Sequence, residues 1–100
     1  MNKAFALRLK ELREAKRITQ QELAKELKSS LSAVIMWENG KRVPAASTLC
    51  DIADYFNTSV DFLLGRSTEV PDWAKSGELR NHVMALNLLL GIKPKSEDNK

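Results

Sequence analysis

The sequence predicts an all-α fold: five short helices in one small domain, followed by a C-terminal apolar helix. Three observations predict it. Apolar residues recur at three- and four-residue intervals in short segments along the chain. Thr19, Ser30, Ser59 and Ser76 stand where helix caps belong, and Gly40, Gly65 and Gly91 where helices stop. At the centre, residues 19–40 (TQQELAKELKSSLSAVIMWENG) read as two helices joined by a tight turn.

Length and charge frame the elements. A chain of 100 residues supports one compact domain plus an appendage. The boundaries expected are a helical domain over 1–66, a linker over 67–75, a helix over 76–92 and a charged, disordered tail over 93–100. No apolar run is long enough to span a bilayer, and residues 1–17 are too interrupted by charge for a signal peptide. Cys50 is the only cysteine, so it has no intrachain disulfide partner, and it is expected as a half-buried helix residue. These features fit a cytoplasmic protein with no membrane partner. Net charge is +3, unevenly distributed. Residues 1–42 carry ten Lys/Arg against five Asp/Glu, and the rest carry six against eight. The basic half suggests a polyanionic partner.

The first helix spans about 3–16. Phe5, Leu9 and Leu12 follow i, i+4, i+7 and face the core. The second, about 20–27, opens with a capping box, Thr19 and Glu22, and carries the stripe Leu23, Ala24 and Leu27. Its N-terminus, with Gln20 and Gln21, offers donors to a phosphate. Lys28-Ser29 breaks the pattern and Ser30 caps the third helix, about 30–38. Val34 and Trp37 mark its buried face. At ~100° per residue, Ser32 and Met36 then point outward, flanked by Ile35 and Ala33, with Leu31 nearer the core boundary.

After a polar loop, Asn39 to Arg42, and Pro44, a fourth helix (45–56) turns Leu49, Ile52, Ala53 and Phe56 inward. Ser59 caps a fifth, 60–64, stopped by Gly65. In the linker, Val70 and Trp73 are possible anchors. The last helix, 77–90, places Leu79, Val83, Leu86 and Leu90 in an a/d-like seam suited to homodimerisation or to docking on its own domain. His82 lies beside that seam and reads as a surface residue.

The central stretch resembles the helix-turn-helix of the lambda-repressor-like, or XRE, family. The likeness is carried by Leu12, Arg13, Thr19-Gln20, Glu22-Leu23-Ala24, Leu27, Ser30, Val34, Trp37-Glu38-Asn39-Gly40, Lys41, Pro44, Leu49, Ile52-Ala53 and Leu63-Leu64-Gly65. It covers roughly two-thirds of the chain and implies a five-helix domain whose third helix is the recognition helix. The resemblance also implies an ion pair between Arg13 and Glu38, and phosphate contacts from Gln20, Asn39, Lys41 and Arg42. Near helix 5 it implies a dimer contact for which Tyr55, Phe62 and Arg66 are candidates, the sequence not separating dimer contact from core. One departure falls in the turn. The family commonly has Gly where this chain has Lys28, and a positive φ there costs Lys about 1–2 kcal/mol.

A second departure falls on the recognition helix. Its base-facing positions are Leu31, Ser32, Ala33, Ile35 and Met36, and only Ser32 carries a hydrogen-bonding side chain. Hydrogen-bonded base readout needs donors and acceptors matched to base edges. This face can instead pack on thymine methyl groups, bind a regulatory protein, or be covered by the C-terminal segment.

Nothing converges on catalysis. There is one Cys and one His, no Gly-rich phosphate loop, and no GxSxG or HExxH pattern, so no catalytic or metal-binding residue and no cofactor is expected. The resemblance implies a sequence-specific regulator of transcription, a repressor of bacterial or prophage type, binding double-stranded DNA as a homodimer. The alternative is a helix-turn-helix used as a protein-interaction module, antirepressor or antitoxin-like, through its apolar face.

Overall fold

The computed structural model describes residues 3–75. Among them there are five α-helices and no strand: α1 Lys3–Ala15, α2 Gln20–Glu26, α3 Leu31–Glu38, α4 Ala46–Tyr55 and α5 Val60–Leu63. A single 3-10 turn, Asp72–Ala74, follows. The segment 77–90, with Leu79, Val83, Leu86 and Leu90, and the tail lie outside the described residues.

Side chains start three of the helices. Thr19 accepts the Glu22 N–H at 3.0 Å, and the Glu22 carboxylate accepts the Thr19 N–H at 2.8 Å, a reciprocal pair that closes the capping box. Ser30 and Ser59 cap α3 and α5 by accepting from Ala33 and Phe62. All five helices end alike. A residue in the left-handed region donates its N–H to the carbonyl three residues back, and its successor donates to the carbonyl five back. The residues with positive φ are Arg17, Lys28, Gly40, Asn57 and Gly65. Lys28, with φ 55°, therefore occupies a conformation that suits Gly.

The core gathers one stripe from each helix. Phe5, Leu9 and Leu12 meet Leu23, Val34, Trp37, Ile52, Phe56, Phe62 and Leu63, with Leu49 and Tyr55 packed at its edge. α3 packs against both α1 and α2, and α5 against α1 and α4. Phe62, left open between core and dimer contact by the sequence, is fully buried, because the four-residue α5 turns it inward. Cys50, expected to be half-buried, is exposed.

The stretch after Gly65, read as a linker, lies back on this body. Pro71 and Ala74 are buried. Trp73 donates its indole N–H to the Phe56 carbonyl at 2.6 Å and stacks on the Phe56 ring at 6.2 Å. Lys16 places its ammonium 5.0 Å from the Tyr55 and Trp73 rings. On the opposite approach Arg8, wholly buried, donates to the carbonyls of Phe62 at 2.6 Å and Ser67 at 2.7 Å. Its guanidinium lies 4.4 Å from the Phe62 ring centroid. Burial pushes its pKa down to about 10, which still leaves it charged at neutral pH.

Candidate nucleic-acid interface

A short side-chain network sets the geometry of α2 and α3. Arg13, at the end of α1, donates from Nε to Glu38 Oε2 at 2.7 Å and from Nη2 to Oε1 at 3.2 Å. Its third nitrogen, Nη1, donates to the Ile18 carbonyl at 2.8 Å. Gln20, the first residue of α2, donates its amide to Glu38 Oε1 at 3.0 Å. One carboxylate at the end of α3 thus ties α1, the connection into α2, and α2 itself. The Glu38 side chain is 3% exposed and that of Arg13 is 12% exposed, so water screens this two-point pair weakly. The network holds the angle between α3 and its neighbours.

Two further contacts shape the ends of α3. At its start, the turn closed by Lys28 leads into Ser30, which is extended as the cap. At its end, Gly40, with φ 76°, lets the Lys41 N–H reach the Met36 carbonyl at 3.0 Å. That reversal sends Lys41 and Arg42 out beside the helix, where both are exposed, as is Asn39. A β-carbon at position 40 would lie 3.9 Å from the Ala6 β-carbon, an ordinary contact. Backbone conformation, not space, is what calls for glycine there.

The outward face of α3 differs in detail from the helical-wheel expectation. Leu31 is 41% exposed and Ile35 36%, with exposed Ser32 between them. Met36 is half-buried, and Ala33 packs against the core. The reason lies at the helix ends. Leu31 begins the helix, so no preceding turn covers it, whereas Met36 sits in the last turn, where the chain doubles back. The outward strip is therefore Leu31, Ser32 and Ile35, one turn long.

The exposed charges of the segment that holds this strip are of one sign. From Leu27 to Cys50 the sole carboxylate is Glu38, and it is buried against Arg13. Lys28, Lys41 and Arg42, all exposed, stand before and after α3. Gln21 is exposed at the start of α2, while Gln20 is half-buried and turned to Glu38. That last contact and the whole of the Arg8 cluster lie outside what the sequence predicts. A faint signal for Arg8 was available. It lies three residues after Phe5 and four before Leu12, squarely on the apolar stripe of α1.

No metal-binding group of His, Cys, Asp or Glu occurs among the described residues, and none of their helices is long and apolar enough to cross a membrane. Two helices with a tight turn, a locked crossing and exposed basic residues before and after α3 form a surface that can lie along a phosphate-lined groove.

Comparison with known proteins agrees with this geometry. A family model described as "Helix-turn-helix" matches residues 9–63. The HTH-type transcriptional activator BcrR of Enterococcus faecalis is 33% identical over 88 residues, 88% of this chain and 43% of that protein. The uncharacterized HTH-type transcriptional regulator YqaE of Bacillus subtilis (strain 168) is 38% identical over 66 residues, 65% of this chain and 57% of that protein. The chain thus spans about half the length of these relatives. No solved structure matches it. The matched model covers more than half of the chain and contains the capped pair α2–α3, and the chain belongs to the lambda-repressor-like, or XRE, family of helix-turn-helix DNA-binding proteins.

Proposed function

We propose that this protein is a sequence-specific, double-stranded-DNA-binding regulator of transcription that inserts α3 into the major groove. The observation that carries this reading is the rim of α3. Lys28, Lys41 and Arg42 are exposed around an outward strip with no exposed carboxylate from Leu27 to Cys50. In this reading Lys41 and Arg42 neutralise phosphates. Asn39 and Gln21 donate to phosphate oxygens, and Gln20 contributes through the second N–H of its amide. These contacts set register and affinity, while Leu31, Ser32 and Ile35 form the base-facing side. A homodimer would set two recognition helices about 34 Å apart on a near-palindromic site. Repression then follows from occlusion of polymerase. Activation is the second reading, favoured by the relative that is named an activator.

The test is selection of binding sites from a randomised duplex pool at two salt concentrations, followed by titration of the enriched site. An enriched, near-palindromic sequence and a steep fall of affinity with salt are expected. Lys41→Glu with Arg42→Glu should weaken binding at least a hundredfold and lower the salt slope by about one for each phosphate contact removed. If those variants bind as wild type while Ile35→Asp abolishes capture of a protein partner, the protein-interaction reading replaces this one. A reporter carrying the enriched site upstream or across a promoter assigns the sign of regulation.

A further inference from the structure

We infer that the recognition helix identifies its DNA by the 5-methyl groups of the major groove, so that Leu31 and Ile35 are its specificity-determining residues. This rests on the DNA-binding reading above and says what the reading helix reads. The two side chains lie one turn apart on the outward strip, 41% and 36% exposed. Both are aliphatic, and the only polar side chain on the strip is Ser32. Exposed Gln21, Asn39, Lys41 and Arg42 stand at the helix ends, where the reading above assigns them to phosphates, and the polar groups nearest the strip are engaged with one another. The Glu38 carboxylate accepts from Arg13 and Gln20, and Gln20 faces Glu38 in return. Ala33 packs on the core and Met36 is half-buried.

The occupant follows from charge and from groove chemistry. The basic residues that bracket α3 draw this strip toward a polyanion, and no exposed carboxylate lies between Leu27 and Cys50. In the major groove the one apolar feature a base edge presents is the thymine C5-methyl. An isobutyl and a sec-butyl group at helical spacing can each cover such a methyl and exclude water from it, leaving the Ser32 hydroxyl for a neighbouring donor or acceptor. Sequence preference at these positions then depends on a methyl group more than on a hydrogen-bond pattern. Because 5-methylcytosine carries its methyl at the same groove position, it shares the contact.

The experiment uses the full chain and the duplex enriched from the randomised pool. Each thymine of the half-site is replaced by deoxyuridine, which removes the methyl and keeps every hydrogen-bonding group. Loss of about fourfold in affinity per contacted methyl is expected. Replacing such a T·A pair by C·G should weaken binding further, and 5-methylcytosine in place of that cytosine should recover part of the loss. Leu31→Ala with Ile35→Ala, both at exposed positions, should bring the thymine-to-uridine affinity ratio close to one while phosphate-driven binding persists. Tight binding of the enriched site with no difference between thymine and uridine overturns this inference and leaves the DNA-binding function standing. A pool that yields no enriched sequence overturns both.

Discussion

Lys28 and Gly40 occupy the same backbone conformation with opposite chemistry. Both follow the last turn of a helix with positive φ, 55° and 76°. For Lys the β-carbon makes that region costly by about 1–2 kcal/mol. Lys28→Gly removes the strain but adds freedom to the unfolded chain, so a net gain of about 1 kcal/mol is expected. Thermal unfolding should show a rise in Tm of roughly 4–8 °C. Gly40→Ala should do the reverse, lowering stability by about 1–2 kcal/mol through the backbone alone, since the added methyl meets nothing closer than 3.9 Å. If Lys28→Gly leaves Tm unchanged, the left-handed turn is not a strained one. Retaining Lys there keeps a cation at the entrance to the recognition helix.

At the scale of elements, the Arg13–Glu38 pair matters more than any single helix propensity. α2 has seven residues and α3 eight, too short to persist alone in water. Their stability comes from packing and from the carboxylate that joins them to α1. Glu38→Ala strands the buried Arg13 guanidinium and should cost about 3–5 kcal/mol, read as a lower urea midpoint. Arg13→Met with Glu38→Met should cost less than the sum of the two single replacements, because no charge is then left alone. Equal costs in the double and summed singles would mean that the two groups do not interact. DNA affinity should fall in both cases even where folding survives, since the pair also holds the α2–α3 crossing.

For the whole molecule, the segment after Gly65 completes the domain rather than merely leaving it. Arg8 from α1 binds the carbonyls of Phe62 and Ser67, and Trp73 binds that of Phe56. Trp73→Phe keeps a stacked ring and loses one hydrogen bond, so a cost of about 1 kcal/mol is expected. Arg8→Met removes a charged donor from two carbonyls and should cost about 2–4 kcal/mol. It should also speed amide hydrogen exchange over residues 67–75, while α2 and α3 stay protected. Loss of protection across α2 and α3 as well would show that these residues are not a separable layer. Since Phe62 is core, the homodimer proposed above would rest on Tyr55, Arg66 or the seam expected from Leu79, Val83, Leu86 and Leu90. Val83→Asp should shift sedimentation of the full chain toward monomer without disturbing the helical signal of 3–75.

Much of this protein is legible in one dimension because its information is local. Caps, stripes and stops act within a turn or two, so Thr19–Glu22, Ser30, Ser59 and the residues before Lys28, Gly40 and Gly65 mark α2, α3 and α5 directly. The buried faces follow from spacing, and the resemblance carried by the motif supplied the fold and the pairing of Arg13 with Glu38. What required the tertiary structure was any contact that spans distant segments. Arg8 on an apolar stripe becomes intelligible only when the carbonyls of Phe62 and Ser67, more than fifty residues on, arrive beside it. Gln20 is a free donor in sequence and a partner of Glu38 in space. Helical periodicity places Met36 outward, but a wheel has no ends, and the chain reversal at Gly40 leaves Leu31 and Ile35 as the face that remains open.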